Sequence, residues 1–266
     1  VFLFRPGRKP ETVMFVLPKD PLRETWDGFL YGPEATKNLF GIDVVYTVDK
    51  IDAELATLLK DVDKVYYQLY LNPKFDQVVN KTIESVAVAR SRTNKGNLTI
   101  EDTRALLGEM RIRKSPEEIE WQRKACRISS EAHIDVMKAC KPGVNERGLH
   151  GEFLRAMMIR GAAREGYGAI VATGGNGTTL HYVFNDAQTK DGDMLLIDAG
   201  AEYNYFSGDI TRTYPVNGKF SSAQKRVYGK VLAIQKGLIE MVKPGVTRDE
   251  IQKRTIDQLT TVMIEE

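Results

Sequence analysis

The sequence has little of what builds a small metal or disulfide framework: 266 residues hold two cysteines and three histidines. Cys126 and Cys140 lie 14 positions apart in a segment of helical pattern. At helical rise that is about 20 Å, too far to bridge. The lack of a disulfide scaffold suits a reducing compartment, and the expectation is a cytoplasmic protein. Without a Cys/His cluster, zinc fingers and zinc ribbons are excluded. No apolar run approaches the ~18–20 residues of a membrane span; the longest, such as Met194-Leu195-Leu196-Ile197, are strand-sized. Charge of one sign is also missing, with Lys+Arg 38 against Asp+Glu 36. That balance gives no general attraction to nucleic acid or an acidic membrane. Neither GxGxxG nor GxxxxGK[ST] occurs, so no nucleotide fingerprint is present. There is no signal-peptide pattern. Val1-Phe2-Leu3-Phe4 reads as the middle of an element, so the start of the chain is expected to be missing.

What is present is ordinary globular composition, with 42% hydrophobic and 28% charged residues. Residues 1–110 alternate strand-like runs (Thr12 to Leu17, Val44 to Thr47, Lys64 to Leu69) with helical spacing at Ile51, Leu55, Leu58 and Leu59 and again after Pro73. This predicts a small α/β domain with some parallel pairing. Residues 94–115 are polar and read as a linker into a second domain, 111–266. Ser115-Pro116-Glu117-Glu118 predicts a helix start with a capping box, running to Cys140 before Pro142-Gly143. A second helix follows from Asn145 to Arg160. Strands are expected at Ala169–Ala172, Leu180–Phe184, Met194–Ala199 and Asp209–Pro215, and two further helices open at Ser221 and Thr247.

Lys141-Pro142-Gly143-Val144 recurs as Lys243-Pro244-Gly245-Val246, 102 positions later. Both copies end a long helix and precede an amphipathic one, and Leu149 and Leu154 match Ile251 and Ile256 at the same offset. The pattern predicts a duplicated half-domain whose second copy carries helices but no sheet.

The strongest chemical signal is a pair of aspartates. Leu195-Leu196-Ile197-Asp198 ends an apolar strand in a carboxylate, and Asp209 opens the next. A hairpin centred on Tyr203-Asn204 would set Asp198 opposite Asp209, with Cβ atoms about 5 Å apart. Like charges so placed repel, and a hard divalent cation between them removes the cost. A plainer arrangement has one aspartate capping a turn and the other pairing with Arg212, and a one-residue slip would put the two on opposite faces. His181, in Leu180-His181-Tyr182, follows the loop Gly174-Gly175-Asn176-Gly177 and is either structural or catalytic. With no Lys-Ser/Thr behind it, the glycine loop reads as a tight turn rather than a phosphate cradle. His133 and His150 lie in helical patterns and read as structural. The basic residues at 111, 113 and 114 lack interleaved aromatics and do not form a nucleic-acid patch.

At Asp198-Ala199-Gly200, Gly208-Asp209-Ile210-Thr211-Arg212-Thr213 and Leu180-His181-Tyr182 the sequence resembles the Xaa-Pro aminopeptidase (aminopeptidase P) branch of the pita-bread metallopeptidases. Lys114 to Ile119 and Pro215 to Phe220 extend the likeness. The resemblance implies an α/β N-terminal domain without its beginning, followed by an α+β pita-bread (creatinase/aminopeptidase-like) domain with an incomplete second half. It further implies that Asp198 and Asp209 are the first two ligands of a dinuclear centre, usually two manganese ions. His181 would then hydrogen-bond the substrate. The family's other ligands, a histidine and two glutamates, match nothing in this sequence. The chain alone is therefore expected to hold metal weakly and to show little or no activity. The implied reaction removes the first residue from peptides with proline second, through metal-activated water. Prolidase, acting on Xaa-Pro dipeptides, and a non-catalytic binding relative are the alternatives. A metal-free creatinase-like relative is disfavoured by the retained aspartates. The implied partners are the peptide and, since the family is often dimeric or tetrameric, another copy of the chain.

Overall fold

The computed structural model describes residues 1–265 and divides into two compact units, Val1–Arg113 and a second beginning at Lys114. The first unit runs β1 (Phe2–Phe4), β2 (Thr12–Val16), α1 (Pro21–Asp27), α2 (Gly32–Phe40), β3 (Val44–Thr47), α3 (Ile51–Leu59), β4 (Lys64–Tyr66), α4 (Pro73–Arg90), β5 (Thr99–Glu101) and α5 (Thr103–Ile112). β2 pairs antiparallel with β1 and parallel with β3, and β4 pairs parallel with β5. Alternation along β2 sends Val13 and Phe15 inward against Leu58 of α3. Asn72 caps α4, with Pro73 in the first turn. The expected linker at 94–115 is a correction: it holds β5 and α5. Pairing with β4 orders residues 99–101, and the Asp102 carboxylate accepts from the Arg104 backbone to start α5. Polar composition here reflects a helix with no buried residue.

The second unit begins with α6 (Pro116–Ala139) and α7 (Glu146–Met158). The Ser115/Glu118 capping box forms in both directions. The short strands are β6 (Arg164–Glu165), β7 (Ile170–Thr173), β8 (Met194–Ala199), β9 (Ala201–Tyr203), β10 (Phe206–Ser207) and β11 (Ile210–Pro215), followed by α8 (Ser222–Met241) and α9 (Arg248–Glu265). Two antiparallel sheets result, ordered β11-β8-β7 and β10-β9-β6. They are joined through Gly200, between β8 and β9.

The alternation of β8 decides what each sheet face does. Leu195, Ile197 and Ala199 point into a core with Ile128, Ala132 and Val136 of α6 and Leu149, Phe153 and Met157 of α7. Each large side chain fully buried there stabilises the unit by roughly 1.5–3 kcal/mol. Leu196 points the other way, and with Ile170 and Ala172 of β7 it packs against Tyr182. Asp198 shares that second face.

The expected strand at Leu180–Phe184 is not one. Those residues belong to an irregular loop after a single 3₁₀ turn at Gly174–Thr178. The alternating pattern arises because Tyr182 alone is buried while Leu180, Val183 and Phe184 stay exposed. Gly174 has φ +54°, and a Cβ there would press on the Asp193 carboxylate, so the glycine-rich stretch is a tight turn. Among the described residues no helix is long and apolar enough to cross a membrane.

Candidate functional site

The hairpin between β8–β9 and β10–β11 turns at Asn204-Tyr205, with φ 48° and 66°. Phe206 pairs with Tyr203 and Thr211 with Asp198. The expected centre at Tyr203-Asn204 is therefore one residue early, and every pairing shifts by two. Asp198 faces Thr211, while Asp209 falls across from Gly200. An even shift keeps both side chains on one face, as diagonal rather than direct neighbours. The turn was hard to place because neither central residue is glycine, although both adopt the left-handed backbone favoured in two-residue hairpin turns.

Tyr167, in Gly166-Tyr167-Gly168 before β7, joins the pair. Its hydroxyl lies 2.6 Å from Asp198 Oδ1 and 3.2 Å from Asp209 Oδ1. The single proton goes to the nearer oxygen, with Asp209 as the second acceptor. Burial, then the hydrogen bond to Asp198, pushes the phenol far above its ordinary value, so the hydroxyl remains a donor. Neither aspartate pairs with Arg212, whose guanidinium donates to the Thr211 carbonyl.

The backbone crossing that brings these groups together needs glycine. A Cβ at Gly200 would collide with the Gly208 carbonyl oxygen, and one at Gly208 with the Ser129 hydroxyl. α6 fastens the crossing with three polar side chains. Gln122 Nε2 donates to Ser207 O at 2.7 Å, Ser129 Oγ accepts from Ala201 N at 2.9 Å, and His133 Nε2 donates to Ala199 O at 3.0 Å. His133 is buried edge-on to Phe153, and that burial lowers its pKa. His150 pairs with Glu165 at 2.7 Å. Both histidines are thus held by the fold, as their helical settings suggested.

His181 is placed differently. It is exposed and makes no hydrogen bond or ion pair among the described residues, and none joins it to the aspartates. Its neighbour Tyr182, however, packs on the sheet face that carries Asp198. Tyr167, Gln122, Ser129 and the buried Glu146 were not singled out from the sequence. The glycines flanking Tyr167 were the one available hint of close packing.

Hard divalent ions take oxygen ligands, so two carboxylates on one face fit such an ion in donor type. In number they are two: among the described residues no group of three or more His, Cys, Asp or Glu side chains could hold a metal.

Comparison with known proteins places both units of the chain. The profile of metallopeptidase family M24 matches residues 120–262, and that of the aminopeptidase P N-terminal domain matches residues 1–66. The chain is 37% identical over 240 residues to the Xaa-Pro aminopeptidase of Escherichia coli strain K12, covering 90% of this chain and 54% of the relative. Among solved structures, Pseudomonas aeruginosa aminopeptidase PepP is similar with TM-score 0.92 and 36% identity, over 99% of this chain and 60% of that one. Zinc-substituted E. coli aminopeptidase P in complex with product is similar with TM-score 0.90 and 35% identity, over 96% and 58%. The chain spans about half the length of the curated relatives it matches. With its N-terminal α/β unit and its partial pita-bread unit matched by these models, the chain belongs to metallopeptidase family M24.

Proposed function

We propose that this chain carries part of an Xaa-Pro aminopeptidase site, removing the first residue from peptides with proline in second position. The observation that carries the reading is the Asp198–Tyr167–Asp209 constellation. The half-buried Asp198 and the exposed Asp209 lie on one face, and a proton donor or a cation between them lowers their mutual repulsion. Asp198 and Asp209 would hold the metal, taken as manganese from the family resemblance. A cation held there would supply Lewis acidity for water activation and carbonyl polarisation. Tyr167 would keep the two carboxylates at a fixed separation through its hydroxyl. His181, exposed and with its ring nitrogens uncommitted, would hydrogen-bond the peptide. Free Cys126 and Cys140 fit a reducing compartment, and we place the protein in the cytoplasm.

Manganese titration followed by electron paramagnetic resonance tests the metal assignment. Weak binding is expected, lost in both Asp198→Asn and Asp209→Asn, and binding indifferent to those substitutions overturns it. A manganese-supplemented panel of Xaa-Pro-Yaa, Xaa-Pro and Xaa-Ala-Yaa peptides tests the substrate. Release of the first residue from Xaa-Pro-Yaa alone supports the reading, and release from the dipeptide alone moves it to prolidase. With two carboxylates as its grouped donors, the 266-residue chain by itself is expected to turn over little.

A further inference from the structure

The geometry points to Glu146 as a positioning residue that clamps both ends of the loop carrying His181. This rests on the reading of His181 as the residue that meets the peptide. Glu146 opens α7, is fully buried, and lies outside the aspartate site. Its two oxygens accept four hydrogen bonds, and every donor belongs to the loop or its stems. Oε1 accepts from Thr173 N at 2.7 Å and Asn176 Nδ2 at 3.2 Å. Oε2 accepts from the Tyr182 hydroxyl at 2.9 Å and Ala187 N at 2.9 Å. One carboxylate thus grips the end of β7, the 3₁₀ turn, the residue after His181, and the returning segment at Ala187.

The rest of the loop is built around that grip. Asn176 Nδ2 also donates to the Tyr182 oxygen at 3.0 Å. Asn185, at φ 47° and buried, accepts from Val171 N and donates to Ala169 O, so its side chain docks on the edge of β7. Between these anchors Leu180 is 90% exposed, Val183 64% and Phe184 70%, while Tyr182 is 9%. The loop therefore presents His181 among apolar side chains, on a base fixed to the sheet face that holds Asp198. A substrate-facing histidine on a free loop would have to be ordered at each binding event, at an entropic cost. A buried anion satisfied by four donors removes that cost beforehand, and its loss would leave donors unpaired in the core.

The test uses the full chain, Glu146→Gln and Tyr182→Phe. Glutamine keeps the shape but turns one oxygen into a donor facing donors; Tyr182→Phe deletes one of the four hydrogen bonds. Two readouts are followed. The first is amide hydrogen exchange over residues 174–187 against residues 194–199. The second is the His181 imidazole carbon–proton resonance, identified by its absence in His181→Ala. Glu146→Gln is expected to speed exchange of 174–187 by about tenfold or more while 194–199 is unchanged. The His181 resonance should broaden while those of His133 and His150 stay put. Tyr182→Phe should do the same to a smaller degree. Unchanged loop exchange, equal acceleration in both segments, or a His181 resonance that does not respond overturns the proposal. If Glu146→Gln fails to fold, Tyr182→Phe decides by the same criteria. Neither readout depends on turnover: peptide binding that His181→Ala leaves unchanged, beside a loosened loop, counts against the role given to His181, not against the clamp.

Discussion

The second unit holds two copies of one helical pattern, and they have different fates. α6 and α7, joined through Lys141-Pro142-Gly143-Val144, bury Ile128, Ala132, Val136, Leu149, Phe153 and Met157 against β7, β8 and β11. α8 and α9, joined through Lys243-Pro244-Gly245-Val246, pack on each other and bury no residue. The second copy is not short of apolar side chains. Val227, Ile234, Leu238 and Leu259 stand where Ala125, Ala132, Val136 and Met157 stand in the first, and they line an open groove of ≈ 1160 Å³. An amphipathic helix pair becomes core only when a further layer covers it, here the sheet, because a helical stripe needs a second layer to leave water.

Matched truncations put the largest number on that difference. Leu149 is 1% exposed, and Leu149→Ala should cost about 2–5 kcal/mol in chemical denaturation. Its counterpart Ile251 is only half-buried, and Ile251→Ala should cost under about 1 kcal/mol. Similar losses at the two sites would mean that α9 has a covering layer in solution, and the comparison would break.

The repeat was legible because its punctuation is local: KPGV stops a helix by its own chemistry. The capping boxes at Ser115 and Ser221, and β8 from Met194 to Ala199, could be read for the same reason. What escaped the sequence depends on contacts between distant segments. The hairpin slipped by two because Asn204-Tyr205 is a left-handed turn without glycine, yet Asp198 and Asp209 stayed on one face because face depends only on parity. Tyr167 and Glu146 were invisible because their partners lie 31 to 42 and 27 to 41 residues away. Leu180 to Phe184 imitated a strand because one anchored tyrosine among exposed neighbours gives the same alternation as a pleat.

A second contrast between the copies is chargeable. His133 is buried on α6, and the residue 102 positions on, Gln235, is exposed on α8. Burial lowers the His133 pKa, so near its ordinary value of about 6.5 the unfolded chain takes a proton that the folded one refuses. The contribution is complete above that pH. It is lost as the pH falls through the window below it, with a slope approaching about 1.4 kcal/mol per pH unit. Unfolding free energy measured from pH 7.5 downward should show this slope. His133→Gln should flatten it whatever its effect on stability at pH 7.5, and Gln235→Ala should leave it alone. A slope that survives His133→Gln assigns the proton elsewhere.

The smallest expected effect is one in which the copies should agree. Asn145 caps α7 by accepting from Arg147 N, and Thr247 caps α9 by accepting from Glu250 N while Glu250 reaches back to Thr247 N. A cap acts on the first turn alone and does not need a second layer. Thr247→Ala should therefore cost about 0.5–2 kcal/mol of local helix stability, read as faster amide exchange in the first turn of α9. Asn145→Ala should cost the same and slightly more, because Asn145 Nδ2 also donates to Asp186 O at 2.9 Å. Comparable losses at the two caps, beside unequal losses at Leu149 and Ile251, would separate what the repeat encodes locally from what the sheet adds. A cap at Thr247 that contributes nothing would mean that the first turn of α9 frays in solution, and that even the local half of the repeat depends on a covering layer.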